Sequence, residues 1–110
     1  MNCLKRMRRN LISASASGAL LATSCGLAHA AGDAAKGKAT AERWCTSCHV
    51  VSPSGGGGDT APAFASIARM RDDTYLREVL TEPHPPMPPI ALSRYQIDDL
   101  IAYFGTLRAQ

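Results

Sequence analysis

The segment WCTSCH, residues 44–49, places Cys45, Cys48 and His49 within five consecutive positions. Cysteines at this spacing serve three chemistries: a disulfide oxidoreductase, half of a zinc site, or covalent haem attachment through C-x-x-C-H. Each chemistry makes different demands on the rest of the chain, so the surrounding residues can discriminate between them.

The residues around this motif favour haem attachment. The stretch before Cys45 has a helical pattern, whereas a thioredoxin-like oxidoreductase needs a strand before its cysteines. A closed zinc site needs a second ligand pair, and beyond residue 49 the chain has only His84 and no cysteine. Haem attachment uses all three motif residues, because two thiols add to the two vinyl groups and His49 reaches the iron. We therefore expect one covalently attached haem per chain.

Residues 1–30 have the pattern of a secretory signal peptide. A basic start is followed by an uncharged stretch over residues 11–27 and by the small-x-small triplet Ala28-His29-Ala30. Cleavage after Ala30 would leave residues 31–110 as one exported, periplasmic domain. The alternative is cleavage before Cys25, with that thiol lipidated, because LLATSC resembles a lipoprotein signal.

The charge of the expected mature domain argues against nucleic acid as a partner. The full chain has a formal net charge of +3, but residues 31–110 hold eight basic and nine acidic residues, which is a net charge of −1. The basic excess therefore belongs to the targeting segment. A domain of 80 residues buries little surface, so a cofactor would help to fill and stabilise it.

The remaining sequence predicts an all-α domain. Helices are expected over residues 33–46, 62–70 and 74–81, the third capped by Asp72 or Asp73. Four consecutive glycines make residues 51–62 a loop, and five prolines do the same for residues 82–90.

A final helix is expected to begin at Ser93. Gln96, three residues later, fits a capping box. Apolar side chains recur at helical spacing and define one buried face: Ile97, Leu100, Ile101, Phe104 and Leu107.

Nearly the whole of residues 31–110 resembles a class I c-type cytochrome. GDAAKGKATAERWCTSCHVV is similar to the first helix and haem-binding turn of that family, TAPAF to its short proline segment, and HPPMPPIALSRYQIDDLIAYFGTLR to its methionine loop and last helix. One departure is Ala41, where the family often has an aromatic residue; Trp44 or Phe64 would have to fill that space.

This resemblance implies a small cytochrome c fold, with helices packed around one covalently attached haem c. It also implies that the last helix crosses the first near Gly37, with Tyr103 as the neighbour. The Pro62 carbonyl is the implied acceptor for the second ring nitrogen of His49.

Three side chains are candidates for the second iron ligand. Met87 lies between Pro86 and Pro88, which would hold a weak thioether ligand in place, and the family pattern also favours it. Met70 lies in a helical stretch and is expected to pack in the core. His84 would give a bis-histidine haem, although a histidine in a proline loop is more often exposed.

The expected function is one-electron transfer and not enzymatic catalysis. Ligation by His49 and Met87 fills both axial positions and favours ferrous iron. The expected partners are redox proteins, such as a dehydrogenase, an oxidase or a reductase, and the protein is expected to be a monomer without a membrane span. The alternatives are a gas sensor with a displaceable Met87 and a small peroxidase that uses His84 with Arg94.

Overall fold

The computed structural model describes residues 31–110, and the predicted signal peptide, including Cys25, lies outside them. The described residues contain no strand, which confirms the all-α fold class. They form four helices: α1 (Ala34–Trp44), α2 (Phe64–Met70), α3 (Asp73–Thr81) and α4 (Arg94–Arg108).

Acidic side chains cap the first and third helices. The Asp33 carboxylate accepts hydrogen bonds from the backbone N–H groups of Ala35 and Lys36, at 2.9 and 3.1 Å. The Lys36 bond is the main reason why the pKa of Asp33 is lowered. At α3, Asp72 is the cap, since its carboxylate accepts from the N–H of Tyr75 at 2.8 Å.

The last helix begins as predicted. The N–H of Ser93 donates to the side chain of Gln96 at 2.9 Å, and the N–H of Gln96 donates to the Ser93 hydroxyl at 3.2 Å. These two bonds form the predicted capping box. All five apolar positions of the expected stripe are buried, and Tyr103 is buried beside them.

Helices α1 and α4 cross at Gly37. A Cβ atom added to Gly37 would overlap the backbone carbonyl of Asp99, so only glycine permits this approach. The atoms nearest to that Cβ belong to Asp99 and Leu100, one turn before the predicted neighbour Tyr103. The hydroxyl of Tyr103 instead donates to the carbonyl of Val51 at 2.7 Å.

Arg108 joins the ends of three helices. Its guanidinium donates to the carbonyl oxygens of Ala68, at 2.8 Å, and Arg71, at 3.2 Å, near the end of α2. It also forms an ion pair of 2.7 Å with Asp73 at the start of α3. A single side chain at the end of α4 thus satisfies carbonyls that α2 leaves without a helical partner.

Phe64 is the aromatic residue that α2 contributes to the core. It is 4% exposed and stacks on Phe104, with ring centroids 4.6 Å apart. Trp44 and Phe64 were the two residues expected to fill the space at Ala41. Trp44 is 49% exposed, so only Phe64 is buried.

The prediction for Met70 was wrong, because this residue is 66% exposed. It is two residues past the buried Ala68, a rotation of about 200° that turns it away from the core.

Across residues 31–110, every helix is too short or too polar to span a membrane.

Candidate functional site

The motif residues lie on a single turn that continues from α1. The N–H of Cys45 donates to the carbonyl of Ala41 at 2.8 Å, and the N–H of His49 donates to the carbonyl of Cys45 at 2.9 Å. Cys48 N–H approaches the same Cys45 carbonyl at 3.3 Å. These bonds hold two thiols and one imidazole close together. Both cysteines are free thiols, with Cys45 buried and Cys48 half-buried.

One hydrogen bond fixes the imidazole of His49. Its Nδ1 atom lies 2.7 Å from the carbonyl oxygen of Pro62. A carbonyl can only accept, so Nδ1 carries the proton and donates it. The lone pair of Nε2 is then available to a metal, as is usual for a ligating histidine.

The segment 61–64, here called the clamp, binds the motif turn from one side. The N–H of Ala61 donates to the carbonyl of Cys48 at 3.0 Å, and the N–H of Phe64 donates to the carbonyl of Val50 at 2.9 Å. The Phe64 ring also meets the His49 ring in a T-shaped contact, with centroids 5.2 Å apart. This contact was not predicted from the sequence, although Phe64 lies only two residues after Pro62.

The glycine run closes the other side of the motif turn. The N–H of Gly58 donates to the carbonyl of Thr46 at 2.7 Å, and Val50 pairs with Gly57 in an isolated β-bridge. Gly57 has a φ of +95°, and a Cβ at this position would overlap the carbonyl of His49. Glycine is therefore required by both backbone conformation and space.

The three candidates for a second ligand differ in their surroundings. Met87 is half-buried and packs against the hydrophobic core. Its N–H donates to the carbonyl of His84 at 3.0 Å, which forms a turn. The side chain of His84 is exposed, with Nδ1 3.1 Å from the carbonyl of Pro85. Met70 is also exposed, as described above.

A groove lies between Trp44, the residue before Cys45, and the loop that follows Met87. It is half-open and has a volume of about 420 Å³. Trp44, which precedes Cys45, forms one border, and the residues after Met87 form another. The lining residues are Trp44, Pro88, Pro89, Ile90, Ala91, Leu92 and Gln96.

The donor set fits a covalently attached haem. Two free thiols can form thioethers, and one imidazole has an available Nε2. Burial raises the pKa of the Cys45 thiol, which favours its neutral form. Among residues 31–110, no three His, Cys, Asp or Glu side chains come together in a way that could hold a metal ion by themselves.

Two comparisons with known proteins bear on this site. The family model described as "Cytochrome C oxidase, cbb3-type, subunit III" matches residues 32–104. The chain is also similar to "Cytochrome c-552" of Bradyrhizobium diazoefficiens, with 44% identity over 81 residues. That alignment covers 71% of this chain and 78% of the relative. No solved structure matches the chain at a significant level.

Proposed function

Since the chain belongs to the class I c-type cytochromes, which transfer electrons and carry covalently bound haem c, we propose that it is a periplasmic one-electron carrier with His49 and Met87 as axial ligands. When bound, haem c supplies the one-electron redox change of its iron. One electron leaves a reduced donor protein and one reaches an oxidised acceptor protein, and no atom is transferred.

Cys45 and Cys48 are the proposed attachment residues. Both are free thiols on the turn that also holds His49. Two bonds from two positions of one turn would fix the cofactor relative to the backbone. A small domain gains stability from such a covalent connection, because its own core is limited.

The hydrogen bond of His49 is the observation that most strongly supports this proposal. The bond from Nδ1 to the Pro62 carbonyl defines the tautomer that leaves Nε2 available for iron. The same bond limits the movement of the ring. Pro62 is therefore the proposed second residue of the ligand site, acting through its backbone oxygen.

Met87 is proposed as the other axial ligand because of its packing. It is held against the core in a proline-rich loop, whereas Met70 and His84 are exposed. A thioether is a weak ligand, so a loop with restricted backbone freedom reduces the entropy lost on ligation. With His49 and Met87 both bound, reduced iron would be favoured, and no position would remain for a gas or peroxide.

Export and processing are part of the proposal. We infer that residues 1–30 are a signal peptide removed after Ala30, and that the mature protein is a periplasmic monomer. N-terminal sequencing of the periplasmic protein should begin at Ala31. A blocked, membrane-associated chain that starts at Cys25 would identify a lipoprotein instead.

Haem staining after denaturing gel electrophoresis tests the attachment. The wild type and the control Ser47→Ala should both stain, because Ser47 is exposed between the two cysteines. Cys45→Ala and Cys48→Ala should lose most or all of the stain. A wild-type band without haem stain would refute the proposed function.

The visible spectrum of the ferric wild type tests the ligation. A six-coordinate, low-spin spectrum with a sulfur-to-iron charge-transfer band is expected for ligation by His49 and Met87. A high-spin spectrum would instead indicate an open axial position, as in a gas sensor or a peroxidase.

A further inference from the structure

We propose that Phe64 is a positioning residue that fixes the ring plane of His49 and so defines the electronic state of the iron site. This inference rests on the proposed role of His49 as an axial ligand. It adds a residue to which neither the sequence motifs nor the family resemblance assigned that role.

The first observation is the contact between the two rings. The centroids of His49 and Phe64 are 5.2 Å apart, and the ring planes are inclined at 65°. This is the edge-to-face arrangement that aromatic pairs prefer. Rotation of the imidazole about its Cβ–Cγ bond would disrupt this geometry.

The second observation is that Phe64 is itself fixed on several sides. Its N–H donates to the carbonyl of Val50, the residue that follows His49, at 2.9 Å. Its ring stacks on Phe104 of α4 with an interplanar angle of 26°. A side chain that is 4% exposed and held in this way has little freedom to turn.

The hydrogen bond to Pro62 cannot orient the imidazole alone. The ring turns about its Cβ–Cγ bond, and the hydrogen bond at Nδ1 restricts this rotation without fixing it, because such a bond weakens steeply only below a donor angle of about 120°. A contact on the side of the ring removes this remaining freedom. The Pro62 carbonyl and the Phe64 ring, both in the clamp, therefore act together on His49.

The ring plane of an axial imidazole has a measurable electronic consequence. Its π orbital overlaps with different iron d orbitals according to the plane's direction. The principal g values of ferric low-spin haem in electron paramagnetic resonance respond to this direction. They distinguish a change in ligand orientation from a general loss of stability.

The test compares Phe64→Leu with Phe104→Leu in the holoprotein. Both substitutions remove a buried ring from the same stack, but only Phe64 contacts His49. Phe64→Leu should shift or broaden the g values. Phe104→Leu should change them much less while lowering the denaturant midpoint, because the Phe64 ring and its N–H bond to the Val50 carbonyl remain. Phe64→Met is a second variant without a ring and should behave like Phe64→Leu, whereas Phe64→Tyr keeps the ring and should retain the wild-type g values.

Three results would overturn the role of Phe64. One is a folded, haem-loaded Phe64→Leu protein with wild-type g values, and another is an equal shift in Phe104→Leu. The third is a loss of the wild-type g values in Phe64→Tyr. A wild type without a low-spin ferric spectrum would instead refute the ligation by His49 and Met87, so the two failures are distinguishable.

Discussion

The Nδ1 atom of His49 lies 2.7 Å from the carbonyl oxygen of Pro62, across 13 positions of the chain. The loop between them must therefore return to the motif turn. It does so through the glycine run, where the N–H of Gly58 donates to the carbonyl of Thr46 at 2.7 Å and Gly57 pairs with Val50. The geometry of His49, the proposed iron ligand, thus depends on glycines, which have no side-chain functional group.

Gly57 provides the first prediction. Gly57→Ala should destabilise the holoprotein, because the added Cβ meets the His49 carbonyl and the residue keeps a positive φ. The unfavourable backbone alone costs about 1–3 kcal/mol, and the overlap adds to it. Denaturant unfolding of haem-loaded protein measures the loss.

Gly55→Ala is the matched control for this prediction. Gly55 has a similar φ of +88° but no atom within 4 Å of an added Cβ. It should lose only the backbone contribution. Equal losses for the two variants would show that contact with His49 does not constrain residue 57.

Tyr103 provides the second prediction. Tyr103→Phe removes the hydroxyl of this ring and with it the 2.7 Å hydrogen bond to the Val51 carbonyl. The expected loss in free energy of unfolding is about 1–3 kcal/mol, because a buried acceptor is left without this partner. Tyr95→Phe is the control: Tyr95 is 74% exposed and its substitution should change stability by less than about 0.5 kcal/mol.

The difference in stability between the wild type and Tyr103→Phe should depend on pH. Burial, with a smaller effect from Glu42, raises the pKa of Tyr103 in the folded state. Above a pH of about 10, the unfolded chain ionises this tyrosine while the folded chain keeps it protonated. The wild type should therefore lose stability as the pH rises through this range, and its advantage over Tyr103→Phe should narrow. If the difference in free energy of unfolding between the wild type and Tyr103→Phe stays constant over this pH range, the pKa of Tyr103 is not raised in the folded state.

Arg108 provides the third prediction. Arg108→Met keeps much of the apolar stem but removes the hydrogen bonds to Ala68 and Arg71 and the ion pair with Asp73. We expect a loss of about 1–3 kcal/mol in free energy of unfolding. Asp73→Asn removes only the ion pair between the exposed Asp73 carboxylate and Arg108. It should lower the free energy of unfolding by less than about 1 kcal/mol. If the two variants lose the same amount, the carbonyl contacts contribute nothing measurable.

The local elements were largely predictable because they depend on neighbouring residues. The capping box of Ser93 and Gln96 and the glycine and proline loops follow from short-range rules, and the structure confirms them. The contact of Phe64 with His49 depends on how α2 meets the motif turn, which no local pattern specifies. The exposure of Met70 was missed for a related reason: an apolar residue near a helix end can lie on either face until the packing partner is known.

The central functional claim concerns Met87. Met87→Ala should leave the haem attached, because Cys45, Cys48 and His49 are unchanged. Loss of the thioether should lower the reduction potential, since methionine ligation favours reduced iron. Carbon monoxide should also bind the reduced variant faster than it binds the wild type.

Two matched variants remove the other candidate ligands. Met70→Ala should change stability by less than about 0.5 kcal/mol, because this side chain is exposed. His84→Ala should keep the low-spin spectrum, because His84 is exposed in the loop that presents Met87. Neither variant should alter the rate of carbon monoxide binding.

The most direct test of iron ligation by Met87 is the reduction potential, measured by redox titration of the wild type and these three variants. We expect a lower potential for Met87→Ala and wild-type values for Met70→Ala and His84→Ala. An unchanged potential in Met87→Ala, together with an altered one in His84→Ala, would show that the haem has two histidine ligands and would contradict the proposed site.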